Sequence, residues 1–190
     1  MKTILNNSES ELMINKSRFI GYLYKVNNQE EIDIILKEIR TKYHDATHIC
    51  YAYSLLNNKK ANDDGEPPGT AGLPILEVLN KHDLVNVLGI VIRYFGGIKL
   101  GSGGLIRAYS NTIRNTLEHN EIKDLRKGYL IKIIFDYSLN KVINNIKTNY
   151  EIVEKEFKEQ IIYLIKADDS LLNELKDINQ TYEIINETYL

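Results

Sequence analysis

The sequence predicts an α+β protein of two unequal domains. Three observations carry that reading. Segments with the two-residue period of strands alternate with segments at helical period, and no internal repeat is present. A charged, glycine-ended stretch, NEIKDLRKG at 120–128, separates two runs that each hold a complete apolar pattern. Beyond it the elements read β-α-β-β-α-β. The expected domains are therefore 1–122 and 129–190.

In chain order, Arg18–Val26 (RFIGYLYKV) is rich in aromatic and aliphatic residues and predicts a strand. Asn28-Gln29-Glu30-Glu31 resembles a capping box. Ile32, Ile35, Leu36, Ile39 and Tyr43 follow at helical spacing, which predicts an amphipathic helix over 29–43. Thr47–Leu55 alternates as a strand. It places Ile49, Tyr51, Tyr53 and Leu55 on one face and His48, Cys50, Ala52 and Ser54 on the other. The shared face of His48 and Cys50 invites a metal or a nucleophilic pair. Two ligands are too few for zinc, however, and side chains two apart on a strand sit ~7 Å apart by rise. A packed cysteine beside a structural histidine is the plainer reading.

Residues 57–72 (NNKKANDDGEPPGTAG) form the longest polar segment, with turn signals at Asp64-Gly65 and Pro68-Gly69. Asp63, Asp64 and Glu66 could hold a divalent cation or face a basic partner. Alternatively, the segment is a solvated loop, or one that orders itself with its acids near Arg93 or Lys99. Pro74 stands in the first turn of a helix over Leu73–Lys81, a favoured place for proline. The apolar strand Leu84–Phe95 follows.

That strand runs into a loop with five glycines, Gly96, Gly97, Gly101, Gly103 and Gly104, and then into a helix from about Gly104 to His119. Strand, glycine loop and helix is a geometry in which backbone N–H groups and the helix N-terminus face an anion. Arg93, Tyr94, Lys99, Arg107 and Arg114 accompany the loop, and Arg107, Asn111 and Arg114 share one outward helix face. The common nucleotide fingerprints do not fit. Gly96 and Gly101 have phosphate-loop spacing, but Ser102 stands where the lysine belongs. Gly101 and Gly103 begin G-x-G-x-x-G, but Ile106 ends it. A ligand-free tight loop is the alternative.

Past the boundary, Tyr129–Tyr137 predicts a strand and Leu139–Thr148 a helix with Val142, Ile143 and Ile146 inward. A hairpin over 150–157 and 160–166 follows. Next comes a helix capped by Ser170 that carries Leu171, Leu172, Leu175 and Ile178, and then a strand over Tyr182–Tyr189. This order is that of a ferredoxin-like domain.

Composition narrows the function classes. Hydrophobic residues make up 43% of the 190 and charged residues 26%, and the net charge is −2. No global basic field draws the chain to nucleic acid, so any such contact needs a local patch. The single Cys50 excludes an intramolecular disulfide and a cysteine-rich metal site. The first residues, MKTILNNSESE, lack the apolar core of a signal peptide, and no run approaches the ~18 residues of a membrane span. A cytoplasmic protein with no cofactor, no metal and no membrane contact is expected. The sequence leaves its oligomeric state open.

Four segments carry a resemblance: KSRFI (16–20), ATHICYAY (46–53), DDGEPPGTAGLPIL (63–76) and VIRYFGGIKLGSGGLIRAYS (91–110). They closely resemble the signature segments of the YigZ/IMPACT family, in its two-domain bacterial type. The resemblance implies a first domain with the ribosomal protein S5 domain 2-like fold. It implies a second that is ferredoxin-like and similar to a domain of the translocation elongation factor. Eukaryotic members act in translational control by binding a large activator of a kinase that targets an initiation factor, a partner not expected for the bacterial type. The resemblance thus implies a translation-associated protein contacting RNA, the ribosome or a translation factor through the basic glycine loop. An enzyme acting on a phosphorylated small molecule and a purely protein-binding regulator are the alternatives.

Overall fold

The structure is a computed structural model that describes residues 1–146 and 150–190. The chain divides into two compact units, Met1–Asp124 and Leu125–Leu190.

The first unit is a mixed α/β arrangement around a five-stranded antiparallel sheet in the order β2-β3-β6-β4-β5. Its strands are β2 (Ser8–Ile14), β3 (Ser17–Lys25), β4 (His48–Ser54), β5 (Lys59–Asn62) and β6 (Val87–Tyr94). Helix α1 (Gln29–Lys42) covers one face, where Ile32, Leu36 and Ile39 meet Ile49, Tyr51, Tyr53, Ile90 and Ile92. Helices α2 (Gly72–Lys81) and α3 (Gly101–Glu118) cover the other, where Ile75, Leu79, Leu105, Tyr109 and Ile113 meet Phe19, Leu23, Cys50 and Val91. With helices on both faces, every β6 residue but the last is buried, which is why its sequence reads as an unbroken apolar run. The α1 start is a capping pair. Asn28 Oδ1 accepts from Glu31 N at 2.9 Å, and Glu31 Oε2 accepts from Asn27 N at 2.8 Å rather than from the cap residue itself.

Several elements differ from the sequence reading. The short strand β1 (Lys2–Ile4) and the edge strand β2 were not legible, because the first has three residues and the second, SESELMI, is largely polar. Part of the polar 57–72 segment is strand β5, held on β4 by backbone pairing and not by an apolar face. The charged stretch after α3 carries a strand, β7 (Ile122–Asp124), paired with β1, so residues 122–124 belong to the first unit. Helix α3 begins at Gly101, three residues before the expected start.

The second unit is a four-stranded antiparallel sheet in the order β11-β8-β10-β9. It contains β8 (Lys127–Phe135), α4 (Asn140–Ile146), β9 (Glu151–Phe157), β10 (Ile161–Ala167), α5 (Asp169–Asp177) and β11 (Tyr182–Tyr189). Ile131, Ile133, Ile161, Tyr163, Ile143, Leu171 and Leu175 form its core. The expected end of α4 at Thr148 lies outside the described residues, as do the side chains of Val142 and Ile146. The cap of α5 is Asp168, whose side chain accepts from Ser170 N, and not Ser170.

Candidate functional site

Local chemistry fixes the acidic segment before any ligand is considered. Asp63 is the acceptor for the opening of α2: it takes Gly69 N at 2.8 Å, Ala71 N at 3.0 Å and Gly72 N at 2.8 Å. Burial acts to raise its pKa, but these three donors outweigh it and hold the carboxyl below its ordinary value. Asp64, at φ 43°, accepts from Ile49 N at 2.7 Å and pairs with Arg40 at 3.1 Å. Glu66 turns inward. Its Oε1 accepts from Arg93 Nη1 at 2.6 Å and from the Tyr109 hydroxyl at 2.7 Å, and its side chain is only 3% exposed. Arg93 is therefore engaged inside the fold through Nη1, while its buried Nε meets no hydrogen-bond partner among the described residues. Among the described residues, no three His, Cys, Asp or Glu side chains converge as metal ligands.

His48 and Cys50 share a face, but each goes to its own partner. His48 Nδ1 lies 2.8 Å from the Asp64 carbonyl. Cys50 Sγ lies 3.0 Å from the Asp63 carbonyl and 3.4 Å from the Tyr109 hydroxyl. Burial pushes the Cys50 thiol up to about 12, so it stays protonated and unreactive at neutral pH. Burial likewise pushes the Tyr109 phenol far above its usual range, which keeps it a donor to Glu66.

The glycine loop is shaped by close approach at one end and by backbone conformation in its middle. A Cβ on Gly96 would come within 2.0 Å of the Lys16 carbonyl, in the turn that joins β2 to β3. Gly97 and Gly101 have φ of 82° and 69°, the left-handed region, with nothing near the missing Cβ. Gly103 and Gly104 lie in the first turn of α3. At its N-cap position stands Leu100, which offers no side-chain acceptor, and the first turn holds no acid. The opening N–H groups of this 18-residue helix are left without a side-chain cap.

They open on a cleft of about 440 Å³. Its polar wall is Thr47, His48, Glu66, Arg93, Lys99 and Ser102, and its apolar floor includes Pro67, Phe95, Leu100 and Leu105. The structure thus brings Arg93, Lys99 and Gly101 together with Glu66 and His48. Arg107 stands one turn along α3, its Nη1 about a van der Waals contact from the Gly103 position. Arg114 is remote: it bonds to Asn111 at 3.0 Å and lines a different groove with His82 and Glu118. Tyr94 also points away, donating to Asp45 at 2.8 Å. Sequence reasoning missed Phe95 and Ser102. The available signal was an aromatic and a hydroxyl residue flanking glycines in a loop otherwise built for backbone approach.

A second cleft, of about 270 Å³, lies on the open face of the other unit's sheet. Ile162, Leu164 and Ile185 form its floor, and Lys132, Glu154 and Glu156 its rim. Two acids against one lysine make it a poor place for phosphate.

Residues 15–117 match the Impact N-terminal domain family. The chain belongs to the IMPACT family. It is 40% identical over 164 residues to the IMPACT family member YvyE of Bacillus subtilis, covering 84% of this chain and 76% of that one. An IMPACT family member of Haemophilus influenzae is 36% identical over 155 residues, covering 78% of this chain and 75% of that one. A solved structure titled only as that of a hypothetical protein superposes with a TM-score of 0.76 at 23% identity, covering 97% of both chains, which speaks for the fold alone. No helix among the described residues is long and apolar enough to cross a membrane.

Proposed function

We propose that this IMPACT family protein is a translation-associated binding protein that holds a phosphate-bearing partner, RNA above all, at the opening of α3. The observation that carries the reading is the uncapped helix N-terminus facing a cleft beside Lys99, which is exposed and makes no hydrogen bond or ion pair with any described residue. Peptide N–H groups and the helix dipole favour an anion there, and Lys99 adds charge without having to leave a partner. Family membership supports the link to translation, with the ribosome or a translation factor as the larger setting.

The domain assignments belong to the same proposal. The first unit is assigned to the S5 domain 2-like fold and the second to the ferredoxin-like fold. Each unit folds alone, and limited proteolysis of the chain is expected to cut near Leu125, between the β7 pairing and the start of β8. Absence of a cooperative thermal transition in isolated 1–124 would overturn this.

One observation favours the protein-binding alternative, the apolar, acid-rimmed sheet face of the second unit. Salt separates the two, since phosphate contacts release counterions and protein contacts of this kind do so far less. The test is fluorescence anisotropy with single-stranded and duplex RNA across a salt series. Binding that weakens steeply with salt supports the proposal. Binding weaker than ~100 μM at low salt, below even the non-specific range, removes RNA as the partner.

A further inference from the structure

The cleft contains two acceptors that no donor among the described residues serves. Glu66 Oε1 receives two hydrogen bonds, but Oε2 receives none from the described residues although the side chain is almost wholly buried. It faces His48 Nε2 at 3.8 Å, beyond hydrogen-bond length. The tautomer of His48 follows from its other nitrogen. Nδ1 lies 2.8 Å from a backbone carbonyl, which only accepts, so Nδ1 carries the hydrogen. In the neutral ring Nε2 is then a lone pair, and two acceptors face each other across the cleft wall.

At that separation a single atom can stand within about 2.8 Å of both. To satisfy both, it must carry two hydrogens. An –NH2 group does this, whereas a carbonyl oxygen cannot. The rest of the cleft has a different character. Phe95 is 46% exposed, with its ring 5.4 Å from the Arg93 guanidinium, and it offers a flat apolar surface beside Leu100 and Pro67. The open end of α3 and Lys99 supply the anion-binding part. An amine donor, a flat ring and a phosphate in one ligand describe a nucleotide whose base bears an exocyclic amine.

Resting on the phosphate-binding reading above, we infer that the cleft takes one unpaired adenine, cytosine or guanine nucleotide. Its amino group bridges Glu66 Oε2 and His48 Nε2, its base lies against Phe95, and its phosphate sits at the opening of α3. Uracil, with a carbonyl at the corresponding edge, leaves both acceptors unserved and places an oxygen against them. Duplex RNA is excluded because pairing already uses one of the two amino hydrogens that the bridge needs. Single-stranded readers use the same combination of stacking and base-edge hydrogen bonding.

The experiment uses the full chain and ligands that differ in one group. Fluorescence anisotropy would compare oligoadenylate, oligouridylate and an oligomer of purine riboside, which is adenosine without its amine, each about ten nucleotides long. The oligoadenylate is expected to bind about tenfold tighter than either of the others, the size of two lost donors facing acceptors that water in the open cleft partly serves. His48→Phe is expected to remove that preference by weakening oligoadenylate alone. Phe95→Leu should weaken all three together. Calorimetry with adenosine and uridine monophosphates separates a free nucleotide from a strand: a preference present in both points to the isolated nucleotide, and one present only in oligomers points to RNA. Equal binding of the three oligomers by the wild-type protein overturns the amine inference while leaving phosphate binding intact. Failure to bind any of them at low salt overturns both.

Discussion

Helices α2 and α3 open in nearly the same way and are finished differently. Ala71 and Leu100 stand at their N-cap positions, neither side chain can accept a hydrogen bond, and neither first turn holds an acid. Each helix also begins on a glycine. At α2 the missing acceptor comes from elsewhere in the chain, as the Asp63 carboxylate on Ala71 N and Gly72 N. At α3 no side chain among the described residues arrives, and the opening faces a cleft with Lys99 and Ser102 on its wall. A helix N-terminus closed by the protein's own carboxylate contributes stability. One left open beside an unpaired lysine contributes a place for someone else's anion.

Substitutions can break this contrast, and the largest expected effect is on the closed end. Asp63→Ala removes a charged acceptor from three backbone donors, and a loss of about 3 kcal/mol in a urea melt is expected, since bonds to charged groups contribute ~1.5–3 kcal/mol each and partial rehydration offsets some of that. A loss below ~1 kcal/mol, no more than an ordinary cap, would mean that the carboxylate does not close α2. The same group has a pH signature. Its folded pKa lies below the ordinary value of 3.8, so its stabilisation is complete above that pH and is lost as pH falls through the folded value. Asp63→Asn should flatten this part of the acid unfolding curve; an unchanged curve assigns the acid transition elsewhere.

Next in size is the loop leading to the open end. Gly97→Ala and Gly101→Ala each place a Cβ on backbone at positive φ, with no steric clash around it. A cost of about 1 kcal/mol each is expected from conformational strain alone, together with weaker oligonucleotide binding. Full stability combined with full binding would show that the loop's conformation does not matter to the site.

The smallest effect on stability, and the sharpest on binding, belongs to the free cations. Lys99→Ala with Arg107→Ala should stay within ~0.5 kcal/mol of the parent in a thermal melt, because both side chains are exposed and neither has a hydrogen-bond or ion-pair partner among the described residues. RNA affinity should fall uniformly across sequences, and the salt slope should drop by roughly two. An unchanged salt slope would move the phosphate contact away from α3.

Sequence and structure divide the work according to range. Periodicity made α1, α2, β3 and β4 legible, because each buries a face whose spacing is written in consecutive residues, and β6 was legible as an apolar run buried on both faces. Strands β1, β2, β5 and β7 were not legible. They are short or polar and exist because a neighbouring strand supplies hydrogen bonds, a fact about distant residues. The glycine loop announced itself through composition, and its signature segments carried the family.

What the sequence could not assign was which charges are free. Arg93, Lys99, Arg107 and Arg114 look alike in one dimension. Only the fold buries Arg93 against Glu66, leaves Lys99 on the cleft and sends Arg114 to another groove. Likewise Asp63, Asp64 and Glu66 read as one acidic cluster, and the structure turns them to three separate tasks: an α2 acceptor, a partner for Arg40 and a buried ion pair. The physical reason is that helix and strand period is set by neighbours within a few residues. Pairing and desolvation of a charge are instead set by whatever the tertiary fold brings within about 4 Å of it.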